Sequence, residues 1–442
     1  MAKRKRSIPK ELFEATIEAL SHDGRGIARI DGKVHFIFGA LPGERVRFRY
    51  LKIKSKFSEG ITEEVLEPSL QRNVPPCPYF GSCGGCTLQH VKPDFQVKFK
   101  EQTLVKQLDQ FGNLKSINPL PPITGPVCGY RRSARLGIRL VPKKGGVLVG
   151  FRERNSHYIQ DMDACVILEP DISDLIPDLK QLIGSLSIPD RIPQIEVYRA
   201  DNGNFFVIRH LEPLSRDDLD ILTDFERNTG VFLYLQPGGP ETIHPLLDSG
   251  IVPYYELNSP DLRLEFSPGN FIQINRIVNQ KLIHCAIEFL ELDDRDIIID
   301  CFCGIGNFSL PLAQKAQQVR GIEGEASMVE RATHNARLNS ISNVIFSSMD
   351  LTKDLDSLLK IDPKPNKVLL DPPRSGAKEL CEFLALELRP DRIVYVSCNP
   401  STFSRDAGLL WEKGRYQLKK VRICDMFPHT SHAETIGLFV KA

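Results

Sequence analysis

Cys398 is the side chain in this sequence best placed for covalent chemistry. It sits in Arg392-Ile393-Val394-Tyr395-Val396-Ser397-Cys398-Asn399-Pro400, a β-branched run that reads as a buried strand. Pro400 extends neither a ladder nor a helix, so the strand is expected to stop there, with a helical segment from Thr402. Ligands of an open α/β sheet bind outside the carboxyl ends of its strands. A thiol delivered to that edge is a candidate nucleophile, with an inert packing cysteine as the competing reading. Asp371 closes an earlier run, Leu369-Leu370-Asp371-Pro372-Pro373-Arg374, and the two prolines fix a rigid loop that holds its carboxylate at the same edge. A third run, Asp300-Cys301-Phe302-Cys303-Gly304-Ile305-Gly306-Asn307-Phe308, has the two glycines of a tight strand-to-helix turn. Ser309 replaces the third glycine of a dinucleotide fingerprint, and Glu323 ends the next strand, where a carboxylate can hold both ribose hydroxyls. An anionic Asp300 without a pyrophosphate loop favours S-adenosylmethionine, whose sulfonium is a cation, over NAD.

A second chemistry is written in Cys77-Pro78-Tyr79-Phe80-Gly81-Ser82-Cys83-Gly84-Gly85-Cys86. Its glycines let a short loop gather three sulfurs, and thiolate clusters bind zinc or iron–sulfur groups. Three such thiols left free are prone to oxidation. The spacing is neither a zinc-ribbon pair nor the ferredoxin run, so it leaves the metal open. A fourth ligand must come from elsewhere, and Cys128 and Cys165 are the nearest candidates.

The elements that must position these groups follow from periodicity. From about residue 266, apolar runs at 297–300, 318–323, 344–346, 367–371 and 392–398 alternate with helical segments near 308–316, 325–340, 377–388 and 402–412. That alternation predicts a parallel, doubly wound α/β sheet, closed by strands near 417–424 and 435–440. Residues 124–265 read as a mixed domain with hairpins at Lys143–Gly146 and Asp201–Asn204, and residues 93–116 as a polar amphipathic helix. Residues 12–67 read as a small β-barrel. There Arg45, Arg47 and Arg49 alternate with Val46, Phe48 and Tyr50, so the arginines share an outer face that suits RNA.

Composition narrows the classes. The 442 residues carry a net charge of only +1, yet the first sixty hold 14 Lys/Arg against 7 Asp/Glu, a basic end that points to a polyanion. No stretch approaches 18 apolar residues, and no apolar run follows Met1–Arg6, so neither a membrane span nor a signal peptide is expected. Eleven cysteines, an odd number, do not form a secreted disulfide framework. A reduced, cytoplasmic, monomeric protein is the expectation.

Three segments, Asp300–Asn307, Asp371-Pro372-Pro373-Arg374-Ser375-Gly376 and Ser397-Cys398-Asn399-Pro400-Ser401-Thr402 with Arg405-Asp406, together resemble the RNA uridine-C5 methyltransferases. Asp23-Gly24-Arg25-Gly26-Ile27-Ala28 and Pro42-Gly43-Glu44-Arg45-Val46 resemble a TRAM domain, an OB-like RNA-binding module. The resemblance implies a Rossmann-like methyltransferase domain over 266–442 and a TRAM-like barrel over 1–70. It further implies a central α/β domain over 71–92 and 124–265 carrying the cysteine cluster, with the 93–123 helix packed on the catalytic domain. Transfer-RNA relatives lack the barrel and the cluster, so 23S rRNA is the implied partner. Cys77, Cys83, Cys86 and Cys165 are implied to hold a [4Fe–4S] cluster. Gln273, Phe302, Asn307, Glu323, Asp350 and Asp371 are implied to line the S-adenosylmethionine site; some relatives carry Asn at the position of Asp350. Cys398 matches the nucleophile that adds to C6 of uracil, and Glu434, in His432-Ala433-Glu434-Thr435, matches the base that removes the C5 proton. A helix dipole and nearby arginines are expected to favour the Cys398 thiolate. The target uridine must leave its stack, with Phe271 as a candidate stacking partner. An RNA cytosine-C5 methyltransferase is the competing enzyme reading. Those enzymes pair two cysteines at neighbouring strand ends, whereas here Arg374 follows Asp371-Pro372-Pro373. A non-catalytic RNA-binding metal protein gives Asp371, Cys398 and Glu434 no joint reason to lie at strand ends.

Overall fold

The computed structural model describes residues 8–258 and 261–442; the basic run Lys3–Arg6 lies outside the described residues. The chain forms two compact units. The first contains residues up to Lys100 together with Arg152–Tyr158 and Phe427–His432, and the second contains the rest.

In the first unit, β1 (Phe13–Thr16), β2 (Ala19–Leu20), β3 (Gly26–Ile30), β4 (Lys33–Phe38), β5 (Arg45–Ile53) and β6 (Phe57–Glu67) make one sheet. Its order is β1-β5-β6-β4-β3-β2. Period two works as the sequence implies: Val46 and Phe48 enter a core with Ala15, Ile17, Ala28 and Ile37, while Arg45, Arg47 and Arg49 point out. The arginine face differs from the expectation in charge. Arg45 pairs with Glu67 at 2.9 Å, Arg47 with Glu14 and Glu64 at 3.0 Å each, and Arg49 with Glu63 at 2.9 Å. Neighbouring strands supply one or more carboxylates for each guanidinium, so this face is a lattice of ion pairs and not a bare basic strip. The cysteine segment 77–86 clusters with this unit, whereas the sequence reading grouped it with the central sheet.

Helix α1 (Pro93–Gly112) sends Leu104 and Leu108 into the core of the second unit. A mixed sheet follows, made of β7 (Ser133–Val141), β8 (Gly146–Gly150), β9 (Gln194–Ala200), β10 (Gly203–Arg209), β11 (Phe232–Gln236) and β12 (His244–Pro245). Helices α2 (Pro170–Ser173), α3 (Ile176–Ser185) and α4 (Arg216–Thr229) belong to the same region, and β13 (Tyr254–Asn258) pairs with β14 (Asp261–Glu265) as a hairpin.

The last sheet has seven strands. They are β15 (Ile297–Cys301), β16 (Gln318–Glu323), β17 (Val344–Ser348), β18 (Lys367–Leu370), β19 (Arg392–Ser397), β20 (Tyr416–Cys424) and β21 (Glu434–Lys441), in the order β17-β16-β15-β18-β19-β21-β20. Helices α5 (Arg276–Leu290), α6 (Ser309–Ala313), α7 (Ala326–Leu338), α8 (Lys378–Phe383) and α9 (Pro400–Gly414) accompany it. Strands β15 to β19 are parallel, but β21 runs antiparallel to both β19 and β20, so the sheet is mixed and not wholly parallel. This reversal puts the first residue of β21 at the same edge as the last residues of β19. Pro400 does not merely stop the strand. It occupies the first turn of α9, where no N–H is needed, and Asn399 caps that helix by accepting the Ser401 N–H at 3.1 Å.

Candidate active site

Strand register brings the reactive groups together. Leu370 pairs with Tyr395 across β18 and β19, so Asp371 and Cys398 leave adjacent parallel strands at one edge. Ser397 pairs with Thr435 across β19 and β21, which sets Cys398 level with Glu434. Three side chains that the sequence scatters over 63 positions thus converge by ladder geometry. Glu434 is buried as the first residue of β21, inside the strand and not in the loop before it. The loop after Asp371 is tied to α9. Arg374 offers its carbonyl to Asn399 Nδ2 at 3.0 Å and to Thr402 Oγ1 at 3.3 Å, and the buried Asp406 carboxylate accepts the Ala377 N–H at 2.9 Å and the Tyr395 hydroxyl at 2.7 Å. The segments that follow Asp371 and Cys398 are therefore tied to each other by a common set of hydrogen bonds.

The glycine-containing loop expected to take the methyl donor lies at the ends of β15 and β16. Gly304 (φ +55°), Gly306 (φ +96°) and the non-glycine Phe302 (φ +66°) all adopt left-handed backbone, and a phenylalanine held there marks a constrained turn. Glu323 fixes the loop by accepting the Gly304 N–H at 3.1 Å and the Gly324 N–H at 2.7 Å. Asp300 is fully buried: Oδ2 accepts Ser309 Oγ at 2.5 Å, while Oδ1 has no partner among the described residues. Burial, with Asp371 and Glu323 nearby, pushes its carboxyl up to about 7. Burial also raises Asp371, and burial next to Asp371 raises Glu434 well above the usual carboxylate range. An orphaned carboxylate oxygen and a set of acids that repel one another fit a cationic ligand such as a sulfonium.

Sequence reasoning missed the groups that hold Asn307. Its amide exchanges hydrogen bonds with Asn279 of α5 at 2.9 and 3.0 Å and accepts the Tyr255 hydroxyl at 3.1 Å. Both partners are buried polar side chains remote in sequence, and no local pattern announces them. Gln273 is buried beside them in chain order, its carbonyl accepting Arg132 Nε at 3.1 Å. Asp350 follows β17 at the surface, held below its usual range at about 2 by hydrogen bonds from Thr352 and Lys353. Cys301 and Cys303, on either side of Phe302, are buried.

Residues 251–442 match the tRNA (Uracil-5-)-methyltransferase family, and residues 9–62 match the TRAM domain. The chain is 44% identical over 442 residues to the 23S rRNA (uracil(1939)-C(5))-methyltransferase of Alkalilimnicola ehrlichii, covering 100% of this chain and 99% of that one. It is 45% identical over 448 residues to the corresponding protein of Hahella chejuensis, with 100% of both covered. The chain belongs to the RNA uracil-C5-methyltransferase family. Its fold is that of Pyrococcus abyssi tRNA (uracil-54, C5)-methyltransferase, crystallised with S-adenosyl-L-homocysteine (TM-score 0.74, 23% identity, 97% and 99% of the two chains covered). Because that match spans nearly the whole chain, the expectation that transfer-RNA relatives lack the first domain does not hold for this one, and domain make-up alone does not select rRNA.

Within this RNA uracil-C5-methyltransferase, the Cys398 thiol differs from the sequence expectation. Burial together with Glu434 and Asp371 pushes it up to about 11, and the Arg374 cation opposes this only in part. Burial and the two acids outweigh the arginine. Phe271 is 68% exposed, a side chain free to meet a partner.

The cysteine loop of the first unit is compact. Cys83 N–H bonds the Tyr79 carbonyl at 2.9 Å, Gly85 N–H approaches Cys83 Sγ at 3.4 Å, and Arg154 donates to the Cys86 carbonyl at 2.6 Å. Burial and the Cys77 charge raise the Cys83 thiol. Cys165, in the second unit, is buried, its N–H bonded to Ser173 Oγ at 2.9 Å. Among the described residues, no group of three or more His, Cys, Asp or Glu side chains is arranged to hold a metal ion.

Proposed function

We propose that this enzyme transfers a methyl group from S-adenosylmethionine to C5 of a uridine in 23S rRNA, in the cytoplasm, at position 1939. Position 747 is the alternative target. The convergence of Cys398, Asp371 and Glu434 on one sheet edge carries this reading. C5 of uracil is a weak nucleophile. Addition of the Cys398 thiolate to C6 turns it into an enolate, so one difficult step becomes two easier ones. S-adenosylmethionine supplies the electrophilic methyl group when bound. Glu434 then takes the C5 proton, and elimination frees Cys398. Asp371, next to the thiol, is placed to hydrogen-bond the uracil edge. Gln273, Phe302, Asn307, Glu323 and Asp350 are assigned to the cofactor, with Glu323 on the ribose and Asp350 on the adenine amino group. Incubation with labelled S-adenosylmethionine and unmodified rRNA, followed by mapping of the methylated nucleotide, tests the assignment; label on a cytosine would favour the competing enzyme class.

The carboxylates predict how affinity varies with pH. Protons on Asp300 and Asp371 compete with a sulfonium, and both groups titrate above the usual carboxylate range. Raising the pH from 6 to 8 ionises them, so affinity for S-adenosylmethionine should rise several-fold relative to S-adenosylhomocysteine, which lacks the positive sulfur. Calorimetry on both ligands checks this. Parallel pH dependences would remove these carboxylates from sulfonium recognition.

The cysteine loop is assigned a [4Fe–4S] cluster on the chemistry of its donors, with Cys77, Cys83, Cys86 and Cys165 as the thiolates that would hold it. Anaerobically purified protein should contain iron and acid-labile sulfide in equal amounts, and Cys83→Ser should lose both. Zinc in place of iron would overturn the assignment.

A further inference from the structure

Arg132 is among the most deeply buried cations of the second unit, and the reaction above gives it no role. It is 1% exposed. Its Nε is used by the Gln273 carbonyl, and its guanidinium lies 4.5 Å from the centroid of the Tyr255 ring. Among the described residues, neither terminal nitrogen has a hydrogen-bond partner. A buried guanidinium with two idle donors costs stability unless something satisfies them.

Arg132 lines a cavity of about 270 Å³ with Glu169, Arg199, Asp201, Glu256 and Arg276. Most of this charge is already matched. Arg276 bonds Asp201 Oδ1 at 3.0 Å, the other Asp201 oxygen accepts the Glu256 N–H at 2.7 Å, and Arg199 bonds Asp171 at 3.0 Å and approaches Glu169 at 3.9 Å. What remains for a ligand is the end of the Arg132 fork with the carboxylates of Glu256, which makes no ion pair among the described residues, and of Glu169, whose approach to Arg199 is only 3.9 Å. Three acids against three arginines leave the wall without the net positive charge that a phosphate needs. Free donors and free acceptors in one cavity suit a flat group that carries both acceptors and donors on its edges, as a nucleobase does. A guanidinium fork bonds guanine through O6 and N7, and a carboxylate accepts guanine N–H groups.

The cavity adjoins the methyl-donor site through the chain itself. Gln273 receives Arg132, Arg276 begins α5, and Asn279 one turn later holds Asn307. We propose that this cavity receives a second, unreacting nucleobase of the RNA substrate, with guanine favoured, and thereby reads sequence outside the target uridine. The inference rests on the RNA substrate proposed above.

The test is a coupling experiment on the full-length protein. RNA fragments containing the target are made with a single abasic nucleotide at each flanking position, and binding is measured for wild type and Glu256→Ala. Glu256 uses only its backbone to hold Asp201, so E256A should melt at the wild-type temperature. At one flanking position the abasic RNA should bind wild type at least tenfold more weakly. E256A should show the same loss with intact RNA and little further loss with that abasic RNA. Replacing guanine by inosine at that position, which removes the 2-amino group, should reproduce part of the effect in wild type only. Independent, multiplying losses at every position would overturn the proposal. So would coupling of E256A to a methylphosphonate, which would make the occupant a backbone phosphate. Methyl transfer by wild type to the intact RNA is scored separately: its absence would defeat the proposed reaction while leaving the binding coupling readable.

Discussion

Cys398→Ala should abolish methyl transfer while S-adenosylmethionine binding stays within about twofold, because removal of a covalent nucleophile costs roughly 10⁴-fold or more in rate. Single-turnover assays and calorimetry on one preparation read the two effects together. Turnover retained within about tenfold would remove Cys398 from the chemistry. The wild-type thiol has a further signature. Held up at about 11 by burial, Glu434 and Asp371, it is almost wholly protonated at neutral pH in the ligand-free enzyme. Alkylation of Cys398 by iodoacetamide, mapped by mass spectrometry, should therefore be slow and rise about tenfold per pH unit up to about pH 11. A cation seated among the acids offsets their charge, so saturating S-adenosylmethionine should speed the labelling and S-adenosylhomocysteine should not. Equal rates with both ligands would show that the acids do not govern the thiol.

Glu434→Gln is expected to stop the reaction after the methyl group has moved. With the base gone, the C5 proton stays on, elimination fails, and a covalent RNA–protein adduct accumulates on denaturing gels. Turnover should fall by about 10²- to 10⁴-fold, the range for loss of a general base. Wild type given 5-fluorouridine RNA should form the same adduct, since fluorine leaves no proton to remove. A variant that turns over poorly without trapping RNA would place Glu434 before the methyl step. Burial and Asp371 raise the Glu434 carboxyl well above the usual carboxylate range, so once ionised it is a stronger base than a free carboxylate.

The parallel strands were legible because their apolar runs are short, β-branched and regularly spaced; β16 and β19 begin at the residues expected. The direction of β21 was not legible. Residues 435–440 are apolar on both faces, and such a run does not encode whether its neighbours run with or against it. The same gap explains Glu434, which looks like a loop acid in sequence and is a buried strand residue in the fold. Arg45, Arg47 and Arg49 misled for a related reason. Their alternation predicted the face correctly, but the acids that match them come from β1 and β6, brought alongside only by pairing. Asn279, Tyr255 and Arg132 stand beside other polar residues in the sequence (Gln280 and Lys281, Tyr254 and Glu256, Arg131 and Ser133), and only their burial in the fold marks them.

The reversed insertion of β21 between β19 and β20 has a consequence for synthesis on the ribosome. Cys398 is translated before Glu434, and β19 has no partner on its outer side until β21 arrives. Strand β20 is made first, yet its partner in the sheet is β21. Until residues 434–441 are added, β19 keeps an open ladder edge beside Cys398. Completion of one late strand closes that edge and sets Glu434 level with the thiol.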